Sequence, residues 1–397
     1  MASPSELPPI PRRRDTDHDP DAVAARLRYA EDRAGRALLH LAGRPQAPGH
    51  TRGNIENLVG FAQVPVGLAG PLRFEGGRGP IEVVVPMATT EGAMVASYSR
   101  GMKAIGGGDA KARVISSTLS QHPVLVYASA LDAIDAARIA LEERERFEAL
   151  TAEITSHGRL VGLEPEPVGR RLVLRLLFET GDAIGINMAA HASERISARL
   201  AERTDPLERF VHGEDVEKRA NARALVEGRG RNTIAEVVIP RAWLAETLRV
   251  APADLVAIHR TYTLGFARLG TQNQLVQAAN GLAAVFLACG QDVAYVTESS
   301  TGTLDFRETT GGDLYASAHL PNLLIGTVGG GTALGTASEC LDLLGVRGDG
   351  GAEPFAEILA ATVLAGDLSL LASFCTHEFV GAHERLGRNR PPAGGGT

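Results

Sequence analysis

Four ionisable side chains stand in stretches otherwise made mostly of glycine, alanine, small hydroxyl and apolar residues. They are Glu91 in Ala88-Thr89-Thr90-Glu91-Gly92, Lys218 in Glu217-Lys218-Arg219, Asp292 in Ala288-Cys289-Gly290-Gln291-Asp292, and His383 near the C-terminus. Glu91 falls where a β-branched run gives way to a small-residue helix. A carboxyl there is ordinarily a capping anion; buried, it is pushed up in pKa and becomes a proton donor near neutrality. A lysine such as Lys218 either faces solvent on a helix or polarises a carbonyl and holds the oxyanion that forms. Asp292 ends a long apolar helix, against the dipole preference, so it calls for a nearby cation or a turn hydrogen bond. His383, with His377 as its competitor, is an ordinary surface histidine or a proton donor to a departing thiolate.

Two glycine-bearing stretches are candidate seats for a phosphate or ribose. Gly181-Asp182-Ala183-Ile184-Gly185-Ile186-Asn187-Met188 opens a helix after a strand, so backbone N–H groups and the helix dipole face whatever sits there. Gly326-Thr327-Val328-Gly329-Gly330-Gly331-Thr332 precedes another helix. A tight turn with close packing explains either stretch equally well in isolation.

The elements that must position these residues follow from pattern. Asp19-Pro20 starts a helix whose apolar stripe runs Val23, Leu27, Ala30, Ala34, Leu38, Leu41, interrupted by Gly35. Asn57 to Phe74 is strand-like but broken by Gly and Pro. Ile81 to Val85 is a strand, and a small-residue helix reaches Ile105. A compact module follows: strand His122–Ser129, helix Leu131–Glu153, a hairpin of Arg159–Val168 and Arg171–Phe178 through Gly169, and helix Asn187–Ala201. That order predicts a split-βαβ, ferredoxin-like domain over residues 109–212, inserted into a larger helix-rich domain of residues 20–108 and 213–390. Lys218 to Arg231 reads as helical, Thr233–Ile239 as a strand, and Leu275–Gly290 and Pro354–Phe379 as long small-residue helices. Residues 1–19 and 391–397 are expected as disordered tails. No G-x-G-x-x-G follows an opening strand, which disfavours an ordinary Rossmann fold.

The 397 residues, 44% of them hydrophobic and 22% charged, fit a globular α+β chain. The net charge of −7 leaves no electrostatic footprint for nucleic acid or an anionic membrane. Cys289, Cys340 and Cys375 make neither a disulfide framework nor a metal-ligand spacing, so a reducing cytoplasm and no metal are expected. No apolar run is read as approaching the roughly 18 residues of a membrane span.

Together these segments resemble the 3-hydroxy-3-methylglutaryl-CoA (HMG-CoA) reductase family. The matching text is Glu56-Asn57-Leu58-Val59-Gly60, Pro65-Val66-Gly67-Leu68-Ala69-Gly70-Pro71-Leu72, Pro86-Met87-Ala88-Thr89-Thr90-Glu91-Gly92, the Gly181 to Met188 stretch, Glu227-Gly228-Arg229-Gly230, Ala288 to Asp292 and the Gly326 to Thr332 run. The wording Thr-Thr-Glu-Gly is similar to that of the branch shared by eukaryotes, archaea and some bacteria, here in its soluble microbial form. The resemblance implies two successive hydride transfers from NADPH, with NADH as the other cofactor considered, taking HMG-CoA to mevalonate and CoA. It makes Glu91, Lys218 and Asp292 the catalytic glutamate, lysine and aspartate, and His383 the residue protonating departing CoA. It assigns Asp182, Gly185, Asn187, Met188, Gly329 and Gly330 to the cofactor, and Ser97, Arg100 and Asn280 to substrate or CoA. It also implies a dimer, or dimer of dimers, with the active site at the subunit interface.

Several positions depart from the family pattern. Leu119-Ser120-Gln121-His122-Pro123 has Gln121 where the family carries a substrate-gripping arginine, and glutamine cannot form a bidentate ion pair. Glu217-Lys218-Arg219 replaces Asp-Lys-Lys, and Arg260-Thr261 replaces Lys-Asn. His122 is a candidate substitute for the missing arginine. Around Ser156-His157-Gly158-Arg159 only Arg159 and His157 offer charge toward a 2′-phosphate. These changes bear on the acyl group more than on the reaction type, so a reductase of a related acyl-CoA, or a non-catalytic CoA-binding paralogue, is the alternative.

Overall fold

The computed structural model describes residues 7–13, 16–214 and 216–376. Its strands are β1 (Val66–Gly76), β2 (Gly79–Ala88), β3 (Lys111–Gln121), β4 (Val124–Val126), β5 (Arg159–Val168), β6 (Arg171–Glu179), β7 (Glu208–Phe210), β8 (Gly230–Ile239), β9 (Thr303–Glu308) and β10 (Leu314–Leu323). The helices are α1 (Pro20–Ala34), α2 (Met94–Ile105), α3 (Ala130–Glu142), α4 (Arg144–Ala152), α5 (Ile186–Thr204), α6 (Ala222–Glu227), α7 (Arg241–Leu248), α8 (Pro252–Leu269), α9 (Ala278–Ala288), α10 (Val296–Ser299), α11 (Gly335–Leu343) and α12 (Ala352–Cys375).

The fold is α+β. In the module between β3 and β7 the strands lie in the order β7-β4-β6-β5, all antiparallel. With α3 and α4 after β4 and α5 after β6, this is the ferredoxin-like arrangement expected from sequence. The helix expected over Leu131–Glu153 is broken at Glu143, whose carboxylate takes Arg199 and Arg203.

The larger body is less purely helical than its composition implies. Six strands form a sheet in the order β2-β1-β3-β8-β10-β9. The backbone of β3 belongs to both sheets: Lys111 to Thr118 pair with β8, and Leu119 to Gln121 pair with β6. One strand therefore carries the chain from the body into the module and delivers Gln121 to the junction.

Helix α12 runs through the body and packs on α2, α9 and β8. It is long and apolar enough to cross a membrane by length and composition, which corrects the expectation that no such run exists; 83% of that window is buried inside the protein. Small residues permit the contact. A Cβ on Gly101 of α2 would stand 1.8 Å from the Ala365 carbonyl oxygen, and the Tyr98 ring fills the space against Gly281 and Gly366. The Tyr98 hydroxyl donates to the Gln277 carbonyl at 2.8 Å.

The first residues are not all tail. Leu7 and Ile10 are buried, the Leu7 N–H donates to Glu82, and the Tyr29 hydroxyl donates to the Pro8 carbonyl. Apolar burial against Tyr29, Leu38 and Val84 orders this segment despite its prolines. Helix α1 ends at Gly35 in the left-handed region (φ 64) instead of running on to Leu41.

Asp367 of α12, wholly buried, accepts from the N–H groups of Val276 and Gln277 at 3.0 and 2.8 Å and so fixes the start of α9. Burial, opposed by those two hydrogen bonds, pushes its pKa up to about 7. A carboxyl whose pKa is raised by folding stabilises fully below its unfolded value and loses that contribution as pH rises through the folded value. Wild type should therefore gain stability relative to Asp367→Asn as pH falls from about 7 toward 3.8, read from urea midpoints of the two proteins across that window.

Candidate active site

Lys218 sits in a turn, not in the helix expected over Lys218–Arg231; only Ala222–Glu227 is helical, capped by Asn221 on the Ala224 N–H at 2.8 Å. The backbone of Lys218 is left-handed (φ 57), a conformation costly for a side chain with a Cβ. It is held by a hydrogen bond from the Lys218 N–H to Glu298. Its ammonium lies 3.1 Å from Asp292 Oδ2 and 5.0 Å from the centre of the Tyr295 ring. Asp292 is itself oriented, since its Oδ1 accepts the Ala294 N–H at 3.0 Å. Both compensations expected for an aspartate after an apolar helix are thus present. The Lys218 and Asp292 side chains are about half exposed, so the pair adds little stability and leaves the ammonium reachable.

Below this pair lies buried charge that sequence reasoning did not single out. Arg229, 1% exposed, donates to Glu298 at 2.8 and 3.1 Å and to the Ser120 carbonyl at 3.3 Å, and its other terminal nitrogen stands 3.4 Å from Glu217. Burial pushes the Glu298 carboxyl up, against the pull of Arg229 and the Lys218 N–H. Glu217 also accepts from Gln121 Nε2 at 2.8 Å and from the Tyr295 hydroxyl at 3.1 Å. Gln121 therefore faces the lysine loop. His122 does not substitute for an arginine there: it is buried with Nδ1 2.6 Å from Glu214, and burial lowers its pKa. A signal existed for Arg229 inside the quoted Glu227-Gly228-Arg229-Gly230, and for Glu298 as a carboxylate six residues after Asp292, but neither reveals its partner in one dimension.

Glu91 is not a helix cap. Its N–H donates to Thr89 Oγ1 at 2.9 Å, and α2 begins three residues later after left-handed Ala93 (φ 69). The side chain is exposed within the single chain and lines a cavity of about 670 Å³, with Ile10, Arg12, His18, Leu27, Val66 and Val95 among its walls. Among the described residues it makes no ion pair with Lys218, whose partner is Asp292. His383, and its competitor His377, lie outside the described residues.

The two glycine stretches are brought side by side. The Thr327 N–H donates to the Asp182 carbonyl at 2.8 Å, and buried Arg231 donates to the Gly181 and Ala183 carbonyls at 2.6 and 3.2 Å. A Cβ on Gly326 would meet the Ile184 nitrogen at 2.9 Å. The Asp182 carboxylate is engaged within the protein, accepting from the N–H groups of Gly350 and Ala352 at 2.8 and 3.0 Å. It shapes the seat instead of offering its charge to a ligand. Gly185 (φ 84) starts α5, with Asn187 exposed and Met188 half-buried on the first turn. Gly329 and Gly330 have open space where a Cβ would be. Ser97 and Arg100 both bond Ser369 of α12 (Ser97 Oγ at 3.1 Å, Arg100 Nε at 3.0 Å), and Asn280 is exposed on the first turn of α9.

Comparison with known proteins decides what this arrangement belongs to. The model of the family "hydroxymethylglutaryl-coenzyme A reductase" matches residues 22–388. The chain belongs to that family. It is 38% identical over 378 residues to the 3-hydroxy-3-methylglutaryl-coenzyme A reductase of Pyrococcus horikoshii, covering 92% of each chain. It is 37% identical to that of Methanothermobacter thermautotrophicus, covering 93% of this chain and 94% of the other. In fold it is similar to the class II 3-hydroxy-3-methylglutaryl-CoA reductase from Streptococcus pneumoniae solved bound to NADPH in open conformations, with a TM-score of 0.70 at 19% identity over 89% of this chain and 94% of that one.

In this reductase the buried pair under Lys218 is the structural weak point. Glu298→Gln removes the closer of the two carboxylates paired with buried Arg229 and leaves only Glu217 at 3.4 Å, which should cost about 3 kcal/mol, measured by chemical denaturation.

Proposed function

We propose that the chain reduces HMG-CoA to mevalonate and CoA with NADPH as the reductant. The observation that carries this reading is Lys218, presented to solvent at 3.1 Å from Asp292 on a loop that Glu298 holds from below. A reduced thioester or aldehyde carbonyl develops negative charge on oxygen. An ammonium fixed in advance stabilises that charge without reorganising at the moment of reaction. Asp292 aims the lysine, and is itself fixed by the Ala294 N–H. Glu91 supplies the proton to the oxygen, which requires that its exposed carboxyl be covered in the working assembly. His383 protonates the departing thiolate of CoA.

NADPH, when bound, supplies hydride at each of the two reductions. The residues fit it: Gly185, Asn187 and Met188 open a helix beside the unobstructed Gly329 and Gly330 backbone, at the seam between module and body. Arg159, one of the two basic residues considered for a 2′-phosphate, is paired with Glu179 at 2.7 Å, and His157 Nδ1 meets the Ser156 hydroxyl at 3.2 Å.

A second copy of the chain is the natural cover for Glu91. Ile55, Val59 and Phe61, in the Glu56 to Gly60 neighbourhood, are exposed without a partner in one chain, Val59 completely. The dimer, the interface location of the site and a cytoplasmic setting are part of this proposal.

A narrower alternative concerns the acyl group alone. Gln121 occupies Glu217 with a neutral hydrogen bond at 2.8 Å, so this side of the site lacks a guanidinium for a substrate carboxylate. The test is NADPH oxidation by purified protein with HMG-CoA. Lys218→Ala should lower kcat by about 100-fold or more, and Glu91→Gln by about 100-fold. Oxidation with a different acyl-CoA and none with HMG-CoA supports the narrower alternative; wild-type rates in Lys218→Ala overturn the assigned roles.

A further inference from the structure

We propose that Tyr295 is a positioning residue for Lys218, holding the ammonium against its ring and the neighbouring Glu217 against its hydroxyl. This rests on the reading of Lys218 as the residue that stabilises the oxyanion. The geometry comes from one short element: Val293–Tyr295 is a single turn of 3-10 helix that begins at Asp292. Asp292 caps this turn and Tyr295 ends it, so one short element carries both side chains that meet the lysine. The Lys218 ammonium lies 3.1 Å from the carboxylate and 5.0 Å from the ring centre.

The ring has a function the carboxylate lacks. An aromatic face attracts a cation without accepting a hydrogen bond from it. It restrains the ammonium yet leaves N–H donors free for a substrate oxygen. A second carboxylate in that position would take those donors. The hydroxyl addresses the second difficulty. Glu217 precedes Lys218 and would otherwise be free to turn onto the ammonium. Instead its carboxylate is held by the Tyr295 hydroxyl at 3.1 Å, by Gln121 at 2.8 Å and beside Arg229 at 3.4 Å. Of the charged groups in this cluster, Asp292 meets the ammonium, while Tyr295 engages Glu217 and Glu298 takes the backbone N–H. The 4% exposure of Tyr295 locks the ring in place.

Two substitutions separate the ring from the hydroxyl in the full-length protein. Tyr295→Phe keeps the face and should hold kcat within about threefold of wild type. Tyr295→Leu removes the face and should lower kcat by roughly 10-fold or more, with KM for the acyl-CoA changed much less. Melting temperatures of both variants control for packing loss, and a Tyr295→Trp variant restores the face if Leu proves unfolded. If folded Tyr295→Leu turns over at the wild-type rate, or if folded Tyr295→Phe and Tyr295→Trp both lose kcat by roughly 10-fold or more, while Lys218→Ala is inactive, the positioning role is wrong and the role of Lys218 stands. If Lys218→Ala is itself active, the underlying reading fails instead.

Discussion

The ion pair between Arg229 and Glu298 is the constraint on which the candidate site depends. Two charges removed from water cost several kcal/mol each before their attraction is counted, and such a pair stabilises a fold poorly for its cost. What it does here is geometric. Arg229 bonds the Ser120 carbonyl of β3, approaches Glu217 in the lysine loop, and grips Glu298 of α10. Glu298 in turn takes the Lys218 N–H. Three elements far apart in sequence are therefore locked to one point, and Lys218 is held at a φ of 57° that an unconstrained lysine would leave.

Helix α12 performs the same service for the remaining segments. Asp182 binds the N–H groups at its start, Ser369 receives Arg100, and Asp367 fixes the first turn of the helix bearing Asn280. Polar side chains inside so apolar a helix are costly unless satisfied. Each of these meets a donor or acceptor from a segment that carries candidate ligand contacts. The close approach needed for those bonds follows from Gly101, Gly281 and Gly366, where any side chain would collide with Ala365 or Tyr98.

The inserted module was legible because its strands are β-branched or leucine-rich and its hairpin turns at a glycine with φ 57. The body's sheet was not. In β10 the buried face is Leu314, Ala316, Ala318 and Leu320, and alternation carried by alanine imitates a helix segment. In β3 the apolar positions stand among Lys, Arg and Ser. At the site, residue types announced Glu91, Lys218 and Asp292, and the Lys218–Asp292 contact matched the expectation that Asp292 needs a cation. Tyr295, Glu298 and the true position of Asp182 were illegible, because a hydroxyl or carboxylate gains its meaning from a partner that only the fold supplies.

Charge balance around Lys218 then bears on the acyl group. Asp292, Glu217 and Glu298 contribute three negative charges, and Lys218 and Arg229 two positive ones, so the cluster as built is one charge negative. A guanidinium in place of Gln121 would make it neutral. With Gln121, a carboxylate on the substrate meets no net attraction here, and Arg229 is buried beneath the loop with Nη1 held by Glu298 and Nε by the Ser120 carbonyl. The cation for such a carboxylate must come from outside the cluster. Arg260, exposed on α8, carries a guanidinium that lies outside this cluster. Its planar head would grip a carboxylate in two places where a lysine grips in one.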